Sequence, residues 1–242
     1  MSITLNNNGR LGNQIIRNIA LSIIAEKNDL HVEYSNYNNI NNRLGVTLFI
    51  GKNKYSNTTN VTDYTYLKLY KQKEKITSNL NFMRHFFQTK EIINIVYNYL
   101  LSIKENIKKK NLYNHRYENN NDIFLHIRLQ DARHYTPGIN YYDKCIQTIK
   151  KYDNIYISSD ELSHDIIKEL KKKYPKIIFI NCDVIDTIQF ASTCKHVILS
   201  HGSYSAIIGY LGFFSDVYYP NFKPKWCSIE LFLNKGFNGI EC

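Results

Sequence analysis

Three features that the sequence lacks narrow the kind of protein it encodes. Its 242 residues contain no apolar run that approaches the roughly 18 residues of a membrane-spanning helix. Its beginning does not show the basic and then apolar pattern of a secretory signal. Its five cysteines are odd in number and show no Cys-x-x-Cys spacing, which argues against a disulfide framework or a structural zinc site. We therefore expect a soluble, cytoplasmic protein without a membrane span.

A fourth absence concerns paired carboxylates, because the chain contains no Asp-x-Asp motif. Sugar transferases that depend on a divalent metal commonly use such a pair to hold the ion on a diphosphate. A diphosphate-binding site in this chain is therefore expected to have no metal and no other cofactor. Its compensating charge would come from arginine, lysine and helix N-termini.

Positive charge is abundant, with a formal net charge of +10 and a sequence pI of about 9.2. Such a surface attracts polyanions, so a nucleic-acid-binding protein is one alternative. However, the lysine runs at 104–110 and 168–173 are typical of solvated helix faces, and the tyrosines are not interleaved with basic residues on one element. We expect no nucleic-acid partner.

The second half of the chain alternates between strand and helix patterns. Apolar runs predict strands at 123–127, 155–158, 177–180, 196–199 and 217–219, and helical periodicity predicts helices at 141–151, 163–174, 186–194, 203–211 and 228–235. This alternation indicates a parallel sheet with helices on both faces. In such sheets ligands bind beyond the carboxyl ends of the strands.

The first half is less regular. A strand is predicted at 2–5, then a glycine-containing loop and a helix from Asn13 onward, and a second strand at 31–34. Residues 36–81 are polar and rich in asparagine, and we interpret them as loops with short elements. A single amphipathic helix is predicted over 91–109, and a linker over 112–122.

Polar motifs lie at three of the predicted strand-to-helix junctions. The first is Gly9-Arg10-Leu11-Gly12-Asn13-Gln14 (GRLGNQ), which precedes the first helix. Its two glycines allow a tight turn and a close approach of a ligand to the backbone, and a helix N-terminus favours anions. A turn capped by Asn13 is the alternative without a ligand.

The second motif is HIRLQD, residues 126–131, at the end of a buried strand. Alternation along the strand places His126 and Arg128 on one face and Ile127 on the other. An arginine at this position can make bidentate bonds to a diphosphate and stabilise the charge of a leaving group. An ion pair between Arg128 and Asp131 is the structural alternative.

The third motif is SHGSYS, residues 200–205, again between a strand and a helix. Hydroxyl groups and backbone amides at such a helix start can hold a phosphate, and an ordinary N-cap by Ser203 is the alternative. Upstream, the motif SSD at 158–160 also follows a strand.

The order GRLGNQ, HIRLQD, YISSDE and SHGSYSAIIGYLG resembles the α-1,2-fucosyltransferase family, glycosyltransferase family eleven, and its α-1,6- and protein-O-fucosyltransferase relatives. The resemblance implies an α/β fold of the GT-B type, in which two Rossmann-like domains face a cleft, with the N-terminal domain reduced here. The expected domains are an acceptor-side domain at 1–115, a nucleotide-sugar donor domain at 116–227 and a terminal helix within 228–242.

The resemblance also implies an inverting, metal-independent transfer of a sugar from a nucleotide-diphosphate donor to a glycan hydroxyl. Arg128 would hold the donor β-phosphate and His126 would line the nucleotide pocket. Asp186 would contact the base or the ribose. The diphosphate would lie on the helix start formed by Ser203, Tyr204 and Ser205. The reaction centre would be faced from the other domain by Arg10, Gly12 and Asn13.

The sequence departs from the family pattern in the donor loop, where SHGSYS replaces the usual Asn-Ser-Ser/Thr-Phe-Ser, and at Leu129, where the family often has a second arginine. The expected donors are therefore GDP-fucose first and a UDP- or dTDP-linked sugar second. For the acceptor side, Asn13 is interpreted as a positioning group, Asp131 as a structural group or base, and His134 as a further candidate base. A catalytically inactive glycan-binding relative is a second alternative.

Overall fold

In the computed structural model, residues 9–82, 85–131, 135–222, 227–233 and 235–242 are described. The chain divides into two units, Met1–Lys110 and Asn111–Cys242. The strand predicted at 2–5 lies outside the described residues. The domain limits expected after residues 115 and 227 stay predictions.

The first unit is mainly helical. Within its described residues the α-helices are α1 (Leu11–Asn28), α2 (Asp63–Lys71), α3 (Lys90–Ser102) and α4 (Lys104–Lys110). Strands β1 (Thr58–Asn60) and β2 (Asn79–Asn81) pair in parallel, and a π-helical turn spans Asn38–Arg43. The core lies between α1 and α3, because the apolar stripes of the two helices are buried against each other.

Two predictions for the first unit were wrong in detail. In place of a strand at 31–34, Glu33 is a bridge residue, and Leu30 forms a further bridge with Asn53. The helix predicted over 91–109 is interrupted at Ile103, where φ is −110° and ψ is 13°. Beyond the break, the Asn106 side chain donates to the Gly45 carbonyl oxygen at 2.8 Å, a tertiary contact that local periodicity does not encode. Within residues 9–82 and 85–110 the sheet has only β1 and β2, so a Rossmann-like first domain and the GT-B arrangement stay predictions.

The second unit is a mixed α/β structure with a parallel sheet, as the alternating patterns predict. Its strands are β3 (Ile123–Ile127), β4 (Ile155–Ser159), β5 (Ile178–Phe179), β6 (His196–Ile198), β7 (Asp216–Pro220) and β8 (Asn238–Ile240). Its α-helices are α5 (Ile139–Thr148), α6 (Asp165–Lys173), α7 (Val184–Ala191) and α8 (Ser203–Leu211).

The six strands are hydrogen-bonded in the order β5-β4-β3-β6-β7-β8, and every neighbouring pair is parallel. The chain therefore runs outward from β3 to β5, returns to the middle at β6, and then runs outward in the other direction. This is the strand order of doubly wound α/β sheets. The point at which the direction reverses lies between β3 and β6.

Alternate residues of β3 face the two helical layers. Leu125 and Ile127 belong to a buried cluster with the apolar faces of α5 and α6. On the other side, the Phe124 ring lies 6.4 Å from that of Phe190 in α7, and His126 contacts Ser205 in α8. The sheet is thus covered on both faces, and His126 points toward the layer formed by α7 and α8.

The terminal helix predicted over 228–235 was wrong. Ser228 caps a short 3₁₀ turn (Ile229–Leu231), and β8 then joins the open edge of β7. The Asn221 amide donates to the Ile240 carbonyl oxygen at 2.8 Å. Gly236 has a φ of +70°, which stops a helix, and the unpaired edge of β7 offers the following residues a ladder of hydrogen bonds instead. No helix in the described ranges is both long and apolar enough to cross a lipid bilayer.

Candidate functional site

The candidate site of the second unit lies at the carboxyl ends of β3 and β6. These central neighbours mark the reversal of strand order, and the loops that follow them leave in opposite directions. Such a reversal opens a crevice at the sheet edge where ligands of doubly wound proteins bind. The motifs HIRLQD and SHGSYS both begin at this edge.

His126 is buried at this edge and is held by α8. Its Nδ1 lies 2.5 Å from the Oγ of Ser205, and its ring centre lies 5.1 Å from that of Tyr204. Burial lowers the pKa of His126 to about 3, and the nearby positive charge of Arg128 acts in the same direction. Near neutral pH the imidazole is therefore an uncharged, fixed hydrogen-bonding group.

Arg128 and Asp131 form a bidentate ion pair. The Nε of Arg128 donates to Oδ1 of Asp131 at 2.9 Å, and its Nη2 donates to Oδ2 at 2.6 Å. The arginine side chain is 17% exposed and the carboxylate 42%. The ion pair weighed as the structural alternative is thus present, and it fixes the plane of the guanidinium at the mouth of the crevice.

The loop that carries Arg128 is tied to the loop after β4. Oδ1 of Asp160 accepts from the amide of Leu129 at 2.7 Å and from that of Gln130 at 3.4 Å. In return, Nε2 of Gln130 donates to the Asp160 carbonyl oxygen at 2.7 Å. Sequence analysis singled out the motif SSD at 158–160 but predicted no hydrogen-bond partner for it.

Helix α8 begins at this edge with no side-chain cap. Its N-cap is Gly202, with φ of 102°, and the Ala206 amide donates to the Gly202 carbonyl oxygen at 3.0 Å. The alternative of a cap by Ser203 is therefore wrong. By helix geometry, the amides of Ser203, Tyr204 and Ser205 precede the first internal bond and point out of the helix start. The N-terminus of α8 thus offers partial positive charge to an anion.

Asp186 lies in the first turn of α7, which starts two residues earlier than predicted. Asp183 is the N-cap, and its Oδ1 accepts from the amides of Ile185 at 2.7 Å and Asp186 at 2.9 Å. The starts of α7 and α8 are joined, because the Tyr204 hydroxyl donates to the Val184 carbonyl oxygen at 2.7 Å. Sequence reasoning missed Asp183, although an aspartate before an apolar helix is a common cap signal.

Two further buried groups lie at the same edge and were missed. Burial raises the pKa of the Cys227 thiol to about 11, against the opposing effects of the Gly202 backbone and Arg128. Burial lowers the pKa of His201 to about 4, and its ring packs edge-on against Phe222 at 4.4 Å. Both groups are therefore neutral near pH 7. The candidate base His134 lies outside the described residues.

The GRLGNQ motif belongs to the first unit, at the start of α1. Gly9 has φ of +111°, and a Cβ built on it would lie 2.6 Å from Nδ2 of Asn13, so only glycine fits. The N-cap of α1 is the exposed Arg10, which makes the alternative of a cap by Asn13 wrong, while Gly12 is buried in the first turn.

The amides of this motif are held by side chains that sequence reasoning missed. Oδ1 of Asn13 accepts from Nε2 of Gln88 at 2.7 Å. Gln14 donates to the Gly9 carbonyl oxygen at 3.0 Å and accepts from Asn36 at 2.5 Å. These bonds fix the orientation of the motif within its own unit. No local pattern identifies Gln88, because it lies 75 residues away in the chain.

Two other observations concern possible ligand sites in the described ranges. No three histidine, cysteine, aspartate or glutamate side chains there converge as a metal site would require. A cavity of about 360 Å³ lies at the amino ends of β4 and β5, lined among others by Tyr152, Lys173 and Tyr174. That cavity is at the opposite end of the strands from His126 and Arg128, so it is not the candidate site.

Comparison with known proteins gives no match to any family model and none to any curated protein sequence. Among solved structures, the chain is similar to NodZ alpha-1,6-fucosyltransferase soaked with GDP-fucose, with a TM-score of 0.38 and 10% identity over 62% of this chain. It is also similar to NodZ co-crystallized with GDP, with a TM-score of 0.39 and 10% identity over 63% of this chain. A third similar structure is fucosyltransferase NodZ from Bradyrhizobium, with a TM-score of 0.37 and 10% identity over 63% of this chain. The aligned part spans 57% of the NodZ chain in each case.

Proposed function

We propose that this protein is an inverting, metal-independent glycosyltransferase that moves a sugar from a nucleotide-diphosphate donor to a glycan hydroxyl. One observation carries the proposal. At the reversal point of the sheet, the Arg128 guanidinium, the buried neutral His126 and the uncapped start of α8 lie at the same edge. Cationic and backbone donors at such a position suit a diphosphate.

The chemistry of transfer requires stabilisation of the leaving group. As the bond from the sugar carbon to the diphosphate breaks, negative charge grows on the phosphate oxygens. Arg128 supplies a full positive charge whose orientation is fixed before the reaction by Asp131. The amides at the start of α8 supply partial positive charge without any side-chain rearrangement. Groups oriented in advance in this way stabilise a transition state more than groups that must reorganise.

His126 would bind the donor as a neutral group. The Ser205 hydroxyl is hydrogen-bonded to Nδ1 of His126, which fixes the orientation of the ring. The other ring nitrogen, Nε2, is assigned to the lining of the nucleotide pocket. Because the pKa of His126 is lowered to about 3, the imidazole carries no charge at neutral pH. We therefore assign it to binding and not to proton transfer.

Asp131 is assigned to positioning and not to proton abstraction. Both carboxylate oxygens of Asp131 accept hydrogen bonds from Arg128, so a proton taken up by this carboxylate would break the ion pair that orients the guanidinium. The motif resemblance assigns Asn13 to orientation of the acceptor hydroxyl. It assigns Arg10 and Gly12, of the same motif, to the reaction centre as well. Asp186, in the first turn of α7, is assigned to the base or ribose of the donor.

Turnover of nucleotide sugars by the wild-type chain and by Arg128→Ala tests the proposal. GDP-fucose, UDP-sugars and dTDP-sugars are incubated with mixed glycan acceptors in EDTA, and the released diphosphate is measured. We expect one donor to be cleaved, and Arg128→Ala to lose about 100-fold or more in turnover, the typical loss of one such donor group. Arg128→Lys, which keeps the charge and loses the bidentate fork, should lie between them. Arg43→Ala, at a half-buried arginine of the first unit that donates to Asn39, is the matched control.

Three outcomes contradict the proposal. Unfolding of Arg128→Ala would mean that its ion pair with Asp131 serves the fold. Glycan binding without cleavage of any donor would indicate an inactive glycan-binding relative. Salt-dependent retention of nucleic acid, with no effect of any nucleotide sugar, would favour the nucleic-acid-binding alternative.

A further inference from the structure

The loops after β3 and β4 hold each other through reciprocal bonds. The two strands pair in parallel with His126 opposite Ser158, so both loops leave the sheet side by side. The Asp160 carboxylate accepts from two amides of the first loop, and Gln130 of the first loop donates back to the Asp160 carbonyl oxygen. We refer to these three bonds between residues 129–130 and Asp160 as the loop clamp.

The loop clamp acts on the residue that precedes it. The amide of Leu129 and the carbonyl group of Arg128 belong to the same peptide group. The 2.7 Å hydrogen bond from that amide to Asp160 therefore fixes the peptide plane next to the Cα atom that carries the arginine side chain. Asp131 fixes the other end, through both of its carboxylate oxygens. The arginine is therefore held at its backbone and at its guanidinium by two different carboxylates.

The carboxylate of Asp160 also occupies a place that a phosphate would otherwise favour. Two successive backbone amides that point to one spot bind anions, as they do in phosphate-binding loops. Since the amides of Leu129 and Gln130 converge on Oδ1 of Asp160, they are satisfied by the protein itself. An incoming diphosphate is then directed to the Arg128 side chain and the start of α8.

We propose that Asp160 is a positioning residue that, through the loop clamp, sets the place of the Arg128 guanidinium for the leaving diphosphate. This inference rests on the proposed function. Its physical basis is that a misplacement of a transition-state group by about 1 Å can cost on the order of 100-fold in rate, even when the changed residue does not touch the substrate. Asp160 acts through Arg128 and is not assigned a contact with the donor.

The variants separate positioning from simple stabilisation. Asp160→Ala removes the carboxylate, Asp160→Asn keeps an oxygen acceptor for the Leu129 amide, and Gln130→Ala removes one of the three bonds. The matched control is Asp153→Ala, because Asp153 also accepts a backbone amide bond, from Asn121 at 2.9 Å, but at the amino end of the same sheet. All three positions are exposed, so the four variants should change the stability of the fold by similar amounts.

The first readout is independent of any substrate. The Nε–Hε resonance of Arg128 is assigned in the ¹⁵N spectrum by its loss in Arg128→Lys, and its exchange with solvent is measured. We expect exchange to become about 10-fold faster in Asp160→Ala, to return to within a few-fold of the parent in Asp160→Asn, and to stay unchanged in Asp153→Ala. Equal exchange rates in the parent and in Asp160→Ala would overturn the inference. If Asp160→Ala does not fold, Gln130→Ala carries the same comparison.

The second readout is donor cleavage. We expect Asp160→Ala to lose on the order of 10- to 100-fold in kcat with a smaller change in KM, and Asp160→Asn to recover most of that loss. Asp153→Ala should keep the parent kcat. Equal losses in Asp160→Ala and Asp153→Ala would mean that Asp160 only stabilises the fold. If the parent cleaves no nucleotide sugar, the proposed function fails, while the exchange measurement still decides whether the loop clamp holds Arg128.

Discussion

Acidification from pH 7.5 to pH 5.5 is expected to destabilise the folded protein through its buried histidines. Burial lowers the pKa of His126 to about 3 and that of His201 to about 4, from an ordinary value of 6.5. Below pH 6.5 the unfolded chain binds a proton at each of these residues and the folded chain does not. The free energy of unfolding therefore falls as the pH falls, until the pH approaches the lowered pKa values.

The magnitude follows from the size of the pH step. At pH 5.5, one unit below 6.5, each histidine that stays neutral in the folded state costs about 1.4 kcal/mol of stability. His126 and His201 together account for about 2–3 kcal/mol between pH 7.5 and pH 5.5. His196 adds to the effect in the same direction, because its burial also lowers its pKa, although Asp216 opposes this.

Guanidinium denaturation followed by circular dichroism at both pH values measures the effect. In His126→Asn the amide group takes the position of Nδ1 beside Ser205 but does not titrate, so the loss of stability on acidification should shrink by about 1.4 kcal/mol. His115→Asn, at an exposed position, is the control and should keep the full loss. If His126→Asn shows the same dependence on pH as the parent, His126 is not a buried neutral group and its assignment to the nucleotide pocket loses its basis.

Three further substitutions test individual parts of the structure. Gly202→Ala should lower stability by roughly 1–3 kcal/mol, because φ of 102° is unfavourable for alanine, and should weaken diphosphate binding; unchanged melting and binding would refute this. Arg116→Ala should lower the free energy of unfolding by about 3–5 kcal/mol, because it removes the 2.6 Å ion-pair partner of Asp122, a carboxylate that is only 3% exposed. A loss below about 1 kcal/mol in denaturant unfolding would show that water takes the place of the arginine. Asp183→Ala should cost about 1 kcal/mol through loss of the α7 cap, and a similar loss in Asp183→Asn would contradict that reading.

The second unit was predictable from sequence because its strands and helices follow local patterns. Buried apolar runs gave the bounds of β3 as observed, and helical periodicity gave those of α8. Alternation along β3 correctly separated His126 from Ile127. Parallel strands end at the same edge of a sheet, so the motifs after β3 and β6 could be expected near one another.

Features that depend on distant residues were not predictable. The partner of His126 is Ser205, 79 residues away, and the partner of Asn13 is Gln88. The strand β8 exists because the edge of β7 is open, whereas its own sequence has no strand pattern. The loop clamp was not predictable for the same reason. The motif SSD shows only that a strand ends there, and its bond to the Leu129 amide depends on a residue 31 positions away in the chain.

Under the proposed function, the second unit binds a nucleoside diphosphate through Arg128 and the start of α8. Calorimetric titration of GDP, UDP and dTDP in EDTA measures this binding. We predict saturable binding of one molecule of at least one diphosphate per chain without added metal, and weaker binding of the same diphosphate by Arg128→Ala. The absence of binding for all three diphosphates, or binding only when Mg²⁺ or Mn²⁺ is added, would contradict the claim.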